Sequence, residues 1–124
     1  MLLISSFVFA NDNNDIVDKQ MQFYKNLKDC TKGEYHLGGT TFSYAGNNYN
    51  VKMFYTIYGI ENNKCHFREV LGNIDTNCYL PMDMTKKYSN EGARVLKDSL
   101  SKGVGYSKYI NQILNDSNYC KSTK

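Results

Sequence analysis

Arginine is almost missing from this chain of 124 residues: 13 lysines stand against Arg68 and Arg94, with a net charge of +3. The planar guanidinium that reads phosphate and guanine bidentately is therefore scarce, and nucleic acid is disfavoured as a partner. Tryptophan is absent, so any aromatic surface must be built from tyrosine and phenylalanine. There is no Cys-x-x-Cys, and the only two histidines, His36 and His66, are not spaced as zinc partners, which excludes the common redox and zinc motifs. A Gly-x-Ser-x-Gly elbow and a calcium-type carboxylate cluster are missing as well. No metal and no cofactor is expected. Internal repeats and interdomain linkers are also lacking.

One apolar run occurs, Leu2 to Ala10, and it is too short to span a bilayer. Val8 and Ala10 before Asn11 fit the cleavage rule of an exported chain, so residues 1–10 are expected to be a signal peptide. No basic segment precedes the run, so the signal is expected to be truncated at its start, the alternative being a buried N-terminal strand. Residues 11–124 are then expected to form a single domain with no membrane span, monomeric and secreted or periplasmic. The four cysteines, Cys30, Cys65, Cys78 and Cys120, agree with an oxidising compartment, where they pair as structural staples rather than act as nucleophiles.

Asn11 to Asp15 offers N-caps for a helix beginning at Ile16. Its stripe is Ile16, Met21, Phe23, Tyr24 and Leu27, and it ends near Cys30. The period then changes. Tyr35 to Leu37, Phe42 to Tyr44, Tyr49 to Ile60, Lys64 to Leu71 and Ile74 to Leu80 are β-branched or aromatic runs separated by short Gly and Asn turns, the signature of an antiparallel meander of four or five strands. Helical spacing returns over Met82 to Ser101, where Gly92 weakens the middle enough to suggest two short helices and Gly103 is a plausible stop. Ser107 caps a last segment whose face is Tyr106, Tyr109, Ile110, Ile113 and Leu114, and a polar tail follows Cys120. The fold class is α+β: an N-terminal helix, the meander, two or three C-terminal helices, and two disulfides.

A four-residue loop from Val70 to Asn73 would set Cys65 directly opposite Cys78, within disulfide reach across two strands, leaving Cys30 to meet Cys120. A three-residue turn at Glu61 to Asn63 would set Phe67 beside Ile57 and Cys65 beside Gly59. Alternation then places Met53, Tyr55 and Ile57 on a core face, and Phe54, Tyr58, His66, Arg68, Asp75, Asn77 and Tyr79 on the other, with Arg68 across from Asp75. A one-residue slip would invert this assignment.

That second face is the candidate site. A histidine and an arginine on an antiparallel sheet, His66 and Arg68 with Glu69 nearby, offer an acid, a base and a phosphate anchor, and these residue types with a preceding helix resemble small secreted microbial ribonucleases. The resemblance implies a hydrolase using those three residues. On strict alternation, however, Glu69 points to the core face, and a bulge would be required to bring it round. The favoured expectation is a non-enzymatic interaction or envelope protein. It would bind a protein or glycan through Tyr58, His66, Arg68 and Tyr79, with Tyr44 extending the aromatic platform. An inhibitor of a secreted enzyme is the further alternative.

Overall fold

The computed structural model describes residues 14–44, 47–103 and 105–123, so the expected signal segment 1–10 lies outside it. The side chains of residues 38–51, Tyr44 among them, also lie outside the description.

Helix α1 (Asn14–Leu27) buries most of the stripe expected of it: Ile16, Phe23, Tyr24 and Leu27 are inside, and Met21 is half-buried against them. Cys30 follows in the left-handed region at φ 55° and turns the chain into the sheet. Strands β1 (Gly33–Tyr44), β2 (Asn47–Glu61), β3 (Lys64–Leu71) and β4 (Ile74–Pro81) run as consecutive antiparallel neighbours. Helices α2 (Met82–Lys102) and α3 (Lys108–Leu114) come next, and β5 (Cys120–Thr123) closes the sheet against β4. A helix, a five-stranded antiparallel sheet, two further helices and two disulfides make up the α+β arrangement expected from the sequence.

The details differ in instructive ways. Gly38-Gly39 does not break β1; the chain stays paired with β2 through a bulge between His36 and Gly38. Gly92 does not divide α2, because it is where the two long helices cross: a Cβ there would sit 2.1 Å from Tyr24 Cε1. The absence of a side chain admits the Tyr24 ring, a gain in close packing that outweighs the helix propensity lost. Gly103 ends α2 in the left-handed conformation, and Ser107 caps α3 by accepting from the Ile110 amide, both as expected.

The disulfides join Cys30 to Cys65 and Cys78 to Cys120, which overturns the expected pairing of Cys65 with Cys78 and Cys30 with Cys120. The cause is the turn between β3 and β4. It holds two residues, Gly72 and Asn73, with Gly72 at φ 60° as the first position of a type II′ turn requires. Pairing therefore continues to Leu71 and Ile74, so Cys65 faces Leu80 and Cys78 faces Phe67. Cys65 and Cys78 share the core face but stand diagonally, too far apart for a bridge. The segment expected to be a polar tail instead pairs with β4 and brings Cys120 into register with Cys78.

All three helices lie on one side of the sheet. Phe23 from α1 stacks on Tyr55 at 4.4 Å between ring centres, Tyr88 from α2 tilts against Phe67 at 5.2 Å, and Ile110, Ile113 and Leu114 of α3 are buried in the same cluster. Most of the buried apolar residues of the described helices belong to the cluster on this side, and none of these helices packs over the other, where Thr56 and Val70 are nonetheless buried.

Candidate functional site: the uncovered face of the sheet

The uncovered face is organised by a bulge in β2. The turn after β2 uses only Asn62 and Asn63, both at positive φ (53° and 64°) as in a type I′ turn, so Glu61 pairs with Lys64 and Cys65 faces Ile60 rather than Gly59. One extra residue in β2, Tyr58, then restores the expected register, and Ile57 does pair with Phe67. Gly59 at φ 114° supplies the backbone freedom, since a side-chain-bearing residue rarely adopts that value. The consequence is local. Tyr58 is left unpaired and swings beside His66, which Gly59 faces.

Tyr58, His66 and Tyr79 consequently form a stacked row across β2, β3 and β4. The His66 ring lies 4.3 Å from Tyr58 and 4.1 Å from Tyr79, at 29° and 15° to them. These separations are close to the spacing of neighbouring strands, so the sheet itself holds the rings face to face. His66 is held at its edge as well. Nε2 lies 3.3 Å from Asn77 Oδ1, and Glu61 Oε2 approaches Nδ1 to 2.8 Å, off the direction of a hydrogen bond. Tyr58 and Tyr79 remain 38% and 43% exposed.

Beside this row, Arg68 makes a bidentate pair with Asp75, Nε to Oδ1 at 2.8 Å and Nη2 to Oδ2 at 2.5 Å. Its direct neighbour across the strands is Asn77, so the expected opposition to Asp75 is replaced by a diagonal reach. The guanidinium sits 5.1 Å from the centre of the Phe54 ring, and His36, the β1 partner of Phe54, stacks on that same ring at 5.5 Å between centres. The hydrogen bonds from Arg68 hold the Asp75 carboxyl below the usual carboxylate range, and they raise the Arg68 guanidinium in turn. Both charges are spent on each other rather than offered to a ligand.

Glu69 lies on the opposite side. It is buried and accepts a short hydrogen bond from the Tyr88 hydroxyl on α2. Burial pushes its carboxyl up to about 7, against the opposing effect of that bond. The β3 alternation is intact at this point, so His66 and Arg68 share a face and Glu69 does not join them. The bulge lies in β2, where it moves Tyr58. No cluster of three or more His, Cys, Asp and Glu side chains placed to hold a metal ion occurs among the described residues. A concavity of about 510 Å³ between α1 and α2 lies on the helix side and is lined by residues such as Lys25, Lys28 and Asn90.

Alternation alone places Tyr58, His66, Arg68 and Tyr79 together; it does not disclose the stacked row or the hold of Glu61 and Asn77 on His66. The signal available was Gly59, since glycine inside a strand marks a bulge. Comparison with known proteins finds no matching family model, no matching curated protein and no matching solved structure.

Proposed function

We propose that this is an exported, non-enzymatic interaction protein that binds a protein partner through the uncovered sheet face, with Tyr58, His66, Arg68 and Tyr79 at the contact. The observation that carries the reading is the Tyr58–His66–Tyr79 row: large amphipathic rings, two of them more than a third exposed, held in one arrangement before any partner arrives. Pre-ordered aromatic side chains lose little entropy on binding, which is what makes tyrosine effective at interfaces. A protein is favoured over a glycan because the stack takes up both faces of His66 and one face of each tyrosine, which reduces the free ring face a sugar would need. An enzyme inhibitor would be one such protein-binding function, and the same face would serve it. The two disulfides support an extracytoplasmic setting.

A hydrolase built on His66, Arg68 and Glu69 is disfavoured by the separation of Glu69 from the other two and by the pairing of Arg68 with Asp75. The test is to immobilise the oxidised protein and expose it to the secreted and envelope proteins of its native source. A discrete protein should be retained by the native chain and by a Tyr106→Ser control on the helix side, and lost at least tenfold on combining Tyr58→Ser with Tyr79→Ser, as expected for central anchor residues (roughly ≥ 2 kcal/mol). Equal retention by the double variant would refute the reading.

A further inference from the structure

Resting on that reading of the sheet face, we infer that the partner presents an acidic polypeptide segment, which lies along the aromatic row and is gripped by Lys32, Lys64 and Lys121.

Some of the charges on this face already have partners. Arg68 is paired with Asp75, and Glu61 lies against His66. Among the described residues the first pair accounts for the arginine and one aspartate of the face, Glu61 stands in register with Lys64, and the other charges are chiefly lysine. Lys64 stands one position before Cys65 on β3, on the same face as His66 and one row toward the β2–β3 turn. Lys121 on β5 is in register with Asn77, one row to the other side and next to Tyr79. Lys32 approaches from the β1 end: its stem lies over Gly59, where a Cβ would meet Lys32 Cε at 3.1 Å. All three are exposed. The aromatic row is thus bounded by an ammonium group on three sides; two carboxylates stand among them, Glu61 in register with Lys64 and Glu34 at the β1 edge, so lysine outnumbers unpaired carboxylate.

The chemistry this surface recognises follows. The tyrosine edges carry hydroxyl donors, and lysine is a compact, strongly hydrated charge with three donors. A run of Asp or Glu side chains satisfies both, and a segment lying across β2, β3 and β4 meets rings at its centre and cations along its margins. A nucleic acid would present phosphates instead, for which the planar arginine fork is the better reader, and the one arginine here is bound to Asp75. Electrostatic complementarity of this kind contributes to encounter rate and partner choice and weakens with salt.

The probe is a fluorescein-labelled octapeptide of glutamate, titrated against the oxidised protein at about 50 mM salt, a regime in which surface charges are only partly screened. Lys32→Glu, Lys64→Glu and Lys121→Glu combined should weaken binding roughly tenfold or more. Lys86→Glu, Lys97→Glu and Lys108→Glu combined change the net charge equally on the helix side and should weaken it less than threefold. Equal loss in the two triple variants, or equal or tighter binding of an octathymidylate, would overturn the inference. The retained protein of the preceding section separates the two readings. If the lysine variant keeps it and the tyrosine variant loses it, the acidic segment is wrong and the aromatic site stands. If the tyrosine variant keeps it, the site itself is wrong.

Discussion

Glu69 is the group whose perturbation is easiest to state quantitatively. It sits beneath α2 with no cation beside it among the described residues, receives one hydrogen bond from Tyr88, and has its carboxyl pushed up by burial from 4.5 to about 7. Tyr24, Tyr55 and Tyr88 surround it, and all three phenols are raised well above their ordinary value, chiefly by burial and then by the Glu69 charge. A carboxyl raised on folding binds its proton more tightly in the folded state. Its neutral form therefore costs the fold nothing below about 4.5, and the penalty for ionising it grows as pH rises to about 7 and is constant above. At about 1.36 kcal/mol for each unit of pKa, the penalty reaches about 3 kcal/mol, a large part of a typical stability of about 5 to 15 kcal/mol. Glu69→Gln keeps an acceptor for Tyr88 and removes the ionisation. Urea denaturation of both proteins at several values between pH 4.5 and 8 should show the variant gaining about 3 kcal/mol relative to the native chain across that range. Tyr88→Phe should move the native midpoint further up, because it removes the bond that favours the charged form. Parallel pH profiles for the native chain and Glu69→Gln would refute the reasoning. Below this range the trend reverses for other groups: Asp75 and Glu91 are held low by their arginine partners, so the stability they contribute is lost only as acid titrates them.

Proteolysis of the non-reduced protein followed by mass spectrometry should yield Cys30 linked to Cys65 and Cys78 linked to Cys120, and no peptide joining Cys65 to Cys78. Replacing Cys78 and Cys120 together by serine should lower stability by about 4 kcal/mol on chain-entropy grounds and increase amide exchange in β5. Gly92→Ala should destabilise by about 2 kcal/mol in thermal or chemical unfolding, since the added methyl collides with the Tyr24 ring by far more than the helix propensity it contributes can offset. Ser107→Ala should cost about 1 kcal/mol, because Ser107 both caps the Ile110 amide and donates to Glu91 Oε1 at 3.0 Å.

The face of the sheet was legible in the sequence where the disulfides were not, for one geometric reason. Side chains alternate with a period of two, so the two-residue error in the β3–β4 register left Asp75, Asn77 and Tyr79 on the correct side while moving every cross-strand partner. A disulfide pairing depends on the partner itself, and it failed with the register. Between β2 and β3 a shorter turn and the Tyr58 bulge compensated each other, so Ile57 met Phe67 as expected. The position of Glu69 on the core side was likewise readable from alternation, whereas its bond to Tyr88 joins segments nineteen residues apart and carries no local signal. β5 was hidden because Cys120–Thr123 has no apolar alternation of its own; it pairs with β4 and is cross-linked to it through Cys78.

The claim that matters most is that the uncovered sheet face, rather than the helical side, meets the partner. Site-specific photo-crosslinking tests it directly, with benzoylphenylalanine placed at Tyr79 on the sheet face or at Tyr106 on the helical side, positions of similar exposure at 43% and 49%. Irradiation in the native compartment should give one discrete adduct with a second protein from position 79 and none from position 106. An adduct confined to position 106, or the same adduct from both, would contradict the account.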